Sequence, residues 1–236
     1  MAVTAASLTS GSNATPGTSF ATASITPTVN RLVLFALECA WLVEQALPPA
    51  VTVTFNGTGL TFVLIPASGA EHTNGSAGNE YSALYLYRAM GSSITAGTCT
   101  VTSPVGMDSA AWSVVEFAGV DMSGTNGSGA VVQIAENTLG NNATGLTVTL
   151  AAFSSAGNAT YGAFGSGHSS GVPRTHTPGT GFTELHDTGA QFSAIGTQWR
   201  ADNDTTVDTT LSDVVNGISG FAIEIKEDVL NSQISM

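Results

Sequence analysis

The chain has 236 residues, 42% of them hydrophobic and only 9% charged, with a net charge of −12 from 17 acidic and five basic side chains. So few cations leave no basic patch to displace counterions from a phosphate backbone, which excludes a nucleic-acid-binding role. No apolar run reaches the ~18 residues of a membrane span, and the apolar fraction is too high for a disordered chain.

The first segment, "MAVTAASLTSGSN", has neither the basic start nor the apolar core of a secretory signal. Residues 1–17 read as a flexible arm, and the protein is expected to be made in a cytoplasm. Next, "SFATASITP" alternates as a strand does. "NRLVLFALECAW" (Asn30–Trp41) is apolar on every face, which predicts a strand buried on both sides, central in its sheet. "ECAWLVEQALPP" is the best helical stretch, with Glu38, Trp41, Leu42 and Gln45 spaced for one or two turns. "VTVTFNGTGLTFVLIP" reads as a hairpin turning at Asn56-Gly57.

"YSALYLYRAM" places Ser82, Leu84, Leu86 and Arg88 on one face, and Tyr81, Ala83, Tyr85 and Tyr87 on the other. The tyrosine stripe reads as a core wall or an interface. "AGTCTVTSP", "AAWSVVEFAGV", "GAVVQIAE", "GLTVTLAAF", "NATYGAFGSG", "TGFTELHD", "AQFSAIGTQWR", "TTVDTTLS" and "GISGFAIEIKE" continue as short strands bounded by Gly, Asn, Ser or Pro. About a dozen such strands predict an all-β, two-sheet antiparallel β-sandwich, jelly-roll-like, over residues 18–226. Residues 227–236 read as a loose tail or a partner-binding strand.

Candidate chemistry is sparse. Glu116 and Glu224 are the carboxylates a sandwich glycosidase would need. Each lacks an acidic neighbour on its own strand face, Asp121 falls in a turn, and the expectation is no enzyme. Four histidines, His72, His168, His176 and His186, match no zinc spacing and read as exposed loop residues. Cys39 and Cys99 read as buried free thiols. Asp202, Asp204, Asp208 and Asp213 occupy the first, third, seventh and twelfth positions of a twelve-residue stretch, the oxygen-ligand spacing of a Ca²⁺ loop. Val207 stands where that loop needs Gly, and "TTVDTTL" also alternates as a strand. No other cofactor is expected. Trp41, Trp112 and Trp199 could stack on sugars, but Trp112 and Trp199 sit among apolar strand residues and read as core. Seven N-x-S/T triplets (Asn13, Asn56, Asn74, Asn126, Asn142, Asn158, Asn203) read as turn vocabulary.

Together, "SNATPGTSFATASITPTVNRLVLFAL", "LYLYRAMGSSITAGTCTVTS", "AAWSVVEFAGVD" and "GFAIEIKE" resemble small all-β virion-surface proteins of tailed bacteriophages. The resemblance runs from about Thr18 to Lys226 and rests on strand patterns. It implies a structural role on the particle surface: a head decoration (cement) protein, or alternatively a tail-fibre or tail-tip module binding a receptor or host-surface glycan. It implies a major capsid or tail protein as partner, a homo-oligomer, most simply a trimer, and no catalytic residues.

Overall fold

The computed structural model describes residues 2–41, 48–65, 71–74 (backbone only), 81–140, 142–168 and 171–229. The chain is all-β and antiparallel, as its alternation predicts. Its strands are β1 (Thr4–Asn13), β2 (Gly17–Ala21), β3 (Leu32–Trp41), β4 (Thr52–Phe55), β5 (Val63–Ile65), β6 (Glu71–Asn74), β7 (Tyr81–Ala89), β8 (Cys99–Met107) and β9 (Ser109–Ala118). A linker with one 3-10 turn (Ser128–Ala130) leads to β10 (Val131–Leu139), β11 (Ala143–Thr149), β12 (Ala159–Gly167), β13 (His176–Pro178), β14 (Thr183–Ala190), β15 (Ser193–Arg200), β16 (Thr206–Val215) and β17 (Gly217–Ile225).

These strands form four sheets rather than two. Sheet I is β2-β8-β4, and sheet II is β1-β9-β3-β7-β5 with β6 also on β7. Sheet III is β10-β17-β12-β15-β14, and sheet IV is β11-β16-β13. Three apolar cores separate four layers. Val33, Phe35, Leu37, Cys39 and Trp41 face sheet I with Val53, Cys99 and Val101. The alternate residues Leu32, Leu34 and Ala36 face sheet III with Tyr161, Ala163, Phe221 and Ile223. Leu146, Val148 and Val207 close sheet IV onto Phe164, Ile218 and Ala222. All ten residues of β3 are buried because the strand has a sheet above and a sheet below. Glu38 and Trp41 lie on this strand, so no helix begins there; Leu42 and Gln45 lie outside the described residues.

The order of pairing repeats. Sheets II and I use the first unit's strands as sheets III and IV use the second's: β10 takes the place of β1, β11 of β2, β12 of β3, β13 of β4, β14 of β5 and β6, and β15, β16 and β17 of β7, β8 and β9. Numbered within a unit, the large sheet runs 1-8-3-6-5 and the small one 2-7-4. The order departs from a jelly roll in one strand: strand 5 extends the large sheet beside strand 6, where a jelly roll would set it in the small sheet beside strand 4. The sequence carries faint traces of the repeat. "GTGLT" (57–61) and "GTGFT" (179–183) occupy equivalent turns, and Gly59 and Gly181 both adopt positive φ, 85° and 84°. "SAL" (82–84) and "SAI" (193–195) open equivalent strands.

The N-terminal arm expected to be flexible is a strand. β1 pairs with β9 from Thr4↔Ala118 to Asn13↔Ala110, and Val3 is buried. Its Ser, Thr, Gly and Ala content hid it, because only Val3, Ala5 and Leu8 pack on the cores. At the other end, Glu227 bridges Val120 and the Asp228 N–H donates to the Gly119 carbonyl. The expected tail is therefore pinned as far as Asp228, and residues 230–236 lie outside the described residues.

Candidate functional site

Glu116 and Glu224 are equivalent residues. Leu32, the first residue of β3, pairs with Phe117, and Ala159, the first of β12, pairs with Ile225; each glutamate precedes that partner by one. Both are buried and both are tied by the loop that enters the central strand. Glu116 accepts from the Thr28 N–H (2.7 Å), the Thr28 hydroxyl (3.0 Å) and Arg31 Nη1 (2.7 Å). Glu224 accepts from the Ser154 N–H and hydroxyl (both 3.0 Å), Asn158 Nδ2 (2.5 Å) and Gln133 Nε2 (2.6 Å). Burial pushes the Glu224 carboxyl up, but the donors Asn158, Gln133 and Ser154 outweigh it and hold it below the usual range. Each carboxylate is spent on its own loop. The two stand on different sheets, and their oxygens face donors rather than a cleft that would hold a sugar. Asp121 pairs with Lys226 Nζ at 2.6 Å, which with the Ser123 hydrogen bonds pulls its carboxyl down to about 2.

The four aspartates of the Ca²⁺ pattern are not brought together. Asp202 and Asp204 both hold Arg200. Asp208 lies within β16, opposite Thr147, and Asp213 pairs with Arg174 at 3.3 Å. Val207 is fully buried, so the Thr/Val alternation forms a strand here and not a loop. Asp213 stands five strand positions beyond Asp208, roughly 16 Å, whereas one Ca²⁺ needs oxygens at about 2.4 Å. Among the described residues no three His, Cys, Asp or Glu side chains gather as a metal set.

The histidines also differ from expectation. His168 and His176 are buried, not exposed. Burial, helped by the positive charge of Arg174, lowers His168 to about 4, so it is neutral at pH 7. His176 lies on β13 against Gly196, 3.6 Å from Asp187 Oδ1. His186 lies on β14, its Nδ1 2.8 Å from the Ser113 hydroxyl, which is also 2.8 Å from the Thr197 hydroxyl. A serine beside a histidine is the geometry of an activated nucleophile. Ser113, however, is fully buried and its hydroxyl is shared with Thr197. The trio bridges sheets II and III. His72 lies on β6, outside the residues whose side chains are described.

The aromatic candidates are core. Trp112 stacks on Phe20 at 5.0 Å and covers Gly11, while Trp199 meets Phe117 edge-on at 6.1 Å. Tyr85 and Tyr87 donate to the carbonyls of Pro49 and Val51, both at 2.7 Å, so the tyrosine stripe is a core wall that pins the segment before β4. Cys39 and Cys99 are free and buried, and burial raises both thiols, Cys99 to about 12. Thiols so held are unreactive.

One ionisable residue was overlooked in the sequence. Glu38 is wholly buried on the sheet III face of β3, and burial pushes its carboxyl up to about 8 against the pull of the Ser82 hydroxyl. The signal was a single acid inside a ten-residue apolar strand.

The outer faces carry a different chemistry. Thr52, Thr54 and Thr102 are exposed on sheet I, and Thr147, Thr149, Thr206 and Thr210 on sheet IV. Across sheet I, Thr52 faces Thr102 and Thr54 faces Thr100, and no charged side chain stands on its three strands. No protein-family model, no curated protein and no solved structure matches the chain.

Proposed function

We propose that this chain is a structural component of a tailed-bacteriophage particle surface, a capsid decoration (cement) protein that works by protein–protein contact. The observation that supports this most is the pair of outward sheets. Two small, threonine-covered sheets lie on opposite sides of a thick apolar block, and the strands of sheet I carry no charge. Such faces suit broad, weakly polar contact with a major capsid protein better than capture of a small ligand. The acidic and histidine side chains described above serve loops, strands and sheet-to-sheet bridges, which fits a role without catalysis. In this reading copies of the chain assemble around a symmetry axis of the particle.

A tail-fibre or tail-tip role is the second reading, and one observation favours it. The turns into β9 and β17, at Asp108 and Asn216, lie at the end of the layers where β3 and β12 finish, while Thr4, Gly119 and Asp228 lie together at the other. A free end carrying loops from both units is what a receptor- or glycan-binding tip requires. Labelling the chain on intact particles separates the two readings. Density spread over the head at high copy number supports decoration, a few copies at the tail end support the tip, and absence from purified particles overturns both.

A further inference from the structure

The two units meet through their large sheets, and the way they meet is that of a two-fold dimer. β1 lies over β14, β9 over β14 and β15, β3 over β12, β7 over β12 and β17, and β6 over β10. In unit numbering, strand 1 meets 5, 8 meets 6, 3 meets 3, 6 meets 8 and 5 meets 1. An isologous interface has this reciprocal form: what the first unit offers the second, the second offers back. The strand ends also agree. Phe117, which pairs with the first residue of β3, packs edge-on against Tyr161 near the start of β12 at 5.8 Å. Rotation about an axis parallel to the strands, between β3 and β12, therefore exchanges the units.

A residue on such an axis faces its own counterpart. Glu38 is the seventh residue of β3 and Gly165 the seventh of β12. They do face one another: a β-carbon on Gly165 would collide with the Glu38 carboxylate. The surroundings repeat as well. Ser82, beside Glu38, has Ser193 as its counterpart, and both are buried. The site has room for one carboxyl, and it is supplied from one side only.

We infer that the contact between sheets II and III is a fused two-fold dimer interface, and that Glu38 seated on Gly165 is its pairing key. The key admits the glycine-bearing face of a second unit, from the same chain or from another copy. It rejects another first-unit face, which would set two buried carboxyls against each other on the axis. By the same rule, a pair of chains joined through this surface must exchange their second units, first with second on both sides.

The test exchanges the key within the full-length chain. Gly165→Glu alone puts two carboxyls on the axis, and Glu38→Gly alone leaves none. The double variant Glu38→Gly/Gly165→Glu inserts the carboxyl from the opposite side, next to Ser193. Urea unfolding followed by tryptophan fluorescence gives a midpoint for each chain, and light scattering on a sizing column gives its mass. The expected result is a large fall in midpoint, or loss of folding, for Gly165→Glu, with the double variant folded and most of that loss recovered. If the double variant fails to fold, or unfolds no later than Gly165→Glu, the site does not have two-fold character and the inference is overturned.

Discussion

Glu116 and Glu224 hold the same place in two different units, and each ties down the loop that feeds its unit's central strand. The donors have changed while the geometry has stayed. Arg31 in one unit is Asn158 in the other, and Thr28 is replaced by Ser154. A carboxylate that accepts three or four bonds in a buried site is a structural fastener.

Replacing either glutamate by glutamine should therefore act on stability. Each change turns an acceptor into a group with donors facing donors, which costs about 1–3 kcal/mol. The two losses should add, because the sites share no partner. Urea midpoints of Glu116→Gln, Glu224→Gln and the double variant check this. Particle attachment by the folded variants should be unchanged. Unaltered midpoints would show that the carboxylates fasten nothing.

Glu38 should make stability fall with rising pH. Its carboxyl stands at about 8 in the folded chain against 4.5 ordinarily. Below about pH 4.5 it is protonated in both states. From there to about 8 only the unfolded chain gives up the proton, so the unfolded state gains. Above about 8 both are ionised and the fall stops. The window is worth on the order of 4–5 kcal/mol. Subtracting the stability curve of Glu38→Gln from that of the parent chain should isolate this slope, and parallel curves between pH 5 and 8 would contradict it.

Deleting residues 1–13 should damage the fold rather than leave it intact. The deletion uncovers the whole edge of β9 and takes away Gly11, on which Trp112 lies. The tryptophan emission should shift to the red and the melting temperature should drop. A milder test is Gly11→Val, whose side chain would meet the Trp112 ring; overpacking of this kind costs typically about 1–3 kcal/mol. A truncated chain that melts like the parent would restore the flexible-arm reading.

Calcium should have no effect on melting. A ligand that binds only the folded state raises the melting temperature, by an amount that grows with the logarithm of its concentration over Kd. With Asp202 and Asp204 on Arg200 and Asp213 on Arg174, no shared site remains in the stretch 202–213. Scans with excess Ca²⁺ and with chelator should superimpose. A rise with Ca²⁺ that the variant Asp208→Asn removes would reverse this conclusion.

Alternation and turn residues alone determined that the chain is all-β, that its sheets are antiparallel, and that Leu32–Trp41 is a central strand buried on both faces. The first two follow from period-two patterning and the third from an unbroken apolar run, both local and written residue by residue. The roles of Trp112, Trp199 and the buried cysteines were legible for the same reason, since apolar neighbours on a strand mean core. The tertiary structure alone decided the rest. A strand of small polar residues such as Thr4–Asn13 has almost no apolar signal, and only the open edge of β9 calls it into the sheet. For Asp202, Asp204, Asp208 and Asp213 the spacing of a Ca²⁺ loop competed with the strand alternation of "TTVDTTL"; burial of Val207 decided for the strand, which carries Asp208 and Asp213 apart from the other two. The doubling of the sandwich was hidden because the repeat is kept in strand pairing, with little of it in residue identity. Glu38 and Gly165 are 127 positions apart in the sequence. Nothing local relates them; the packing of two sheets about a common axis does.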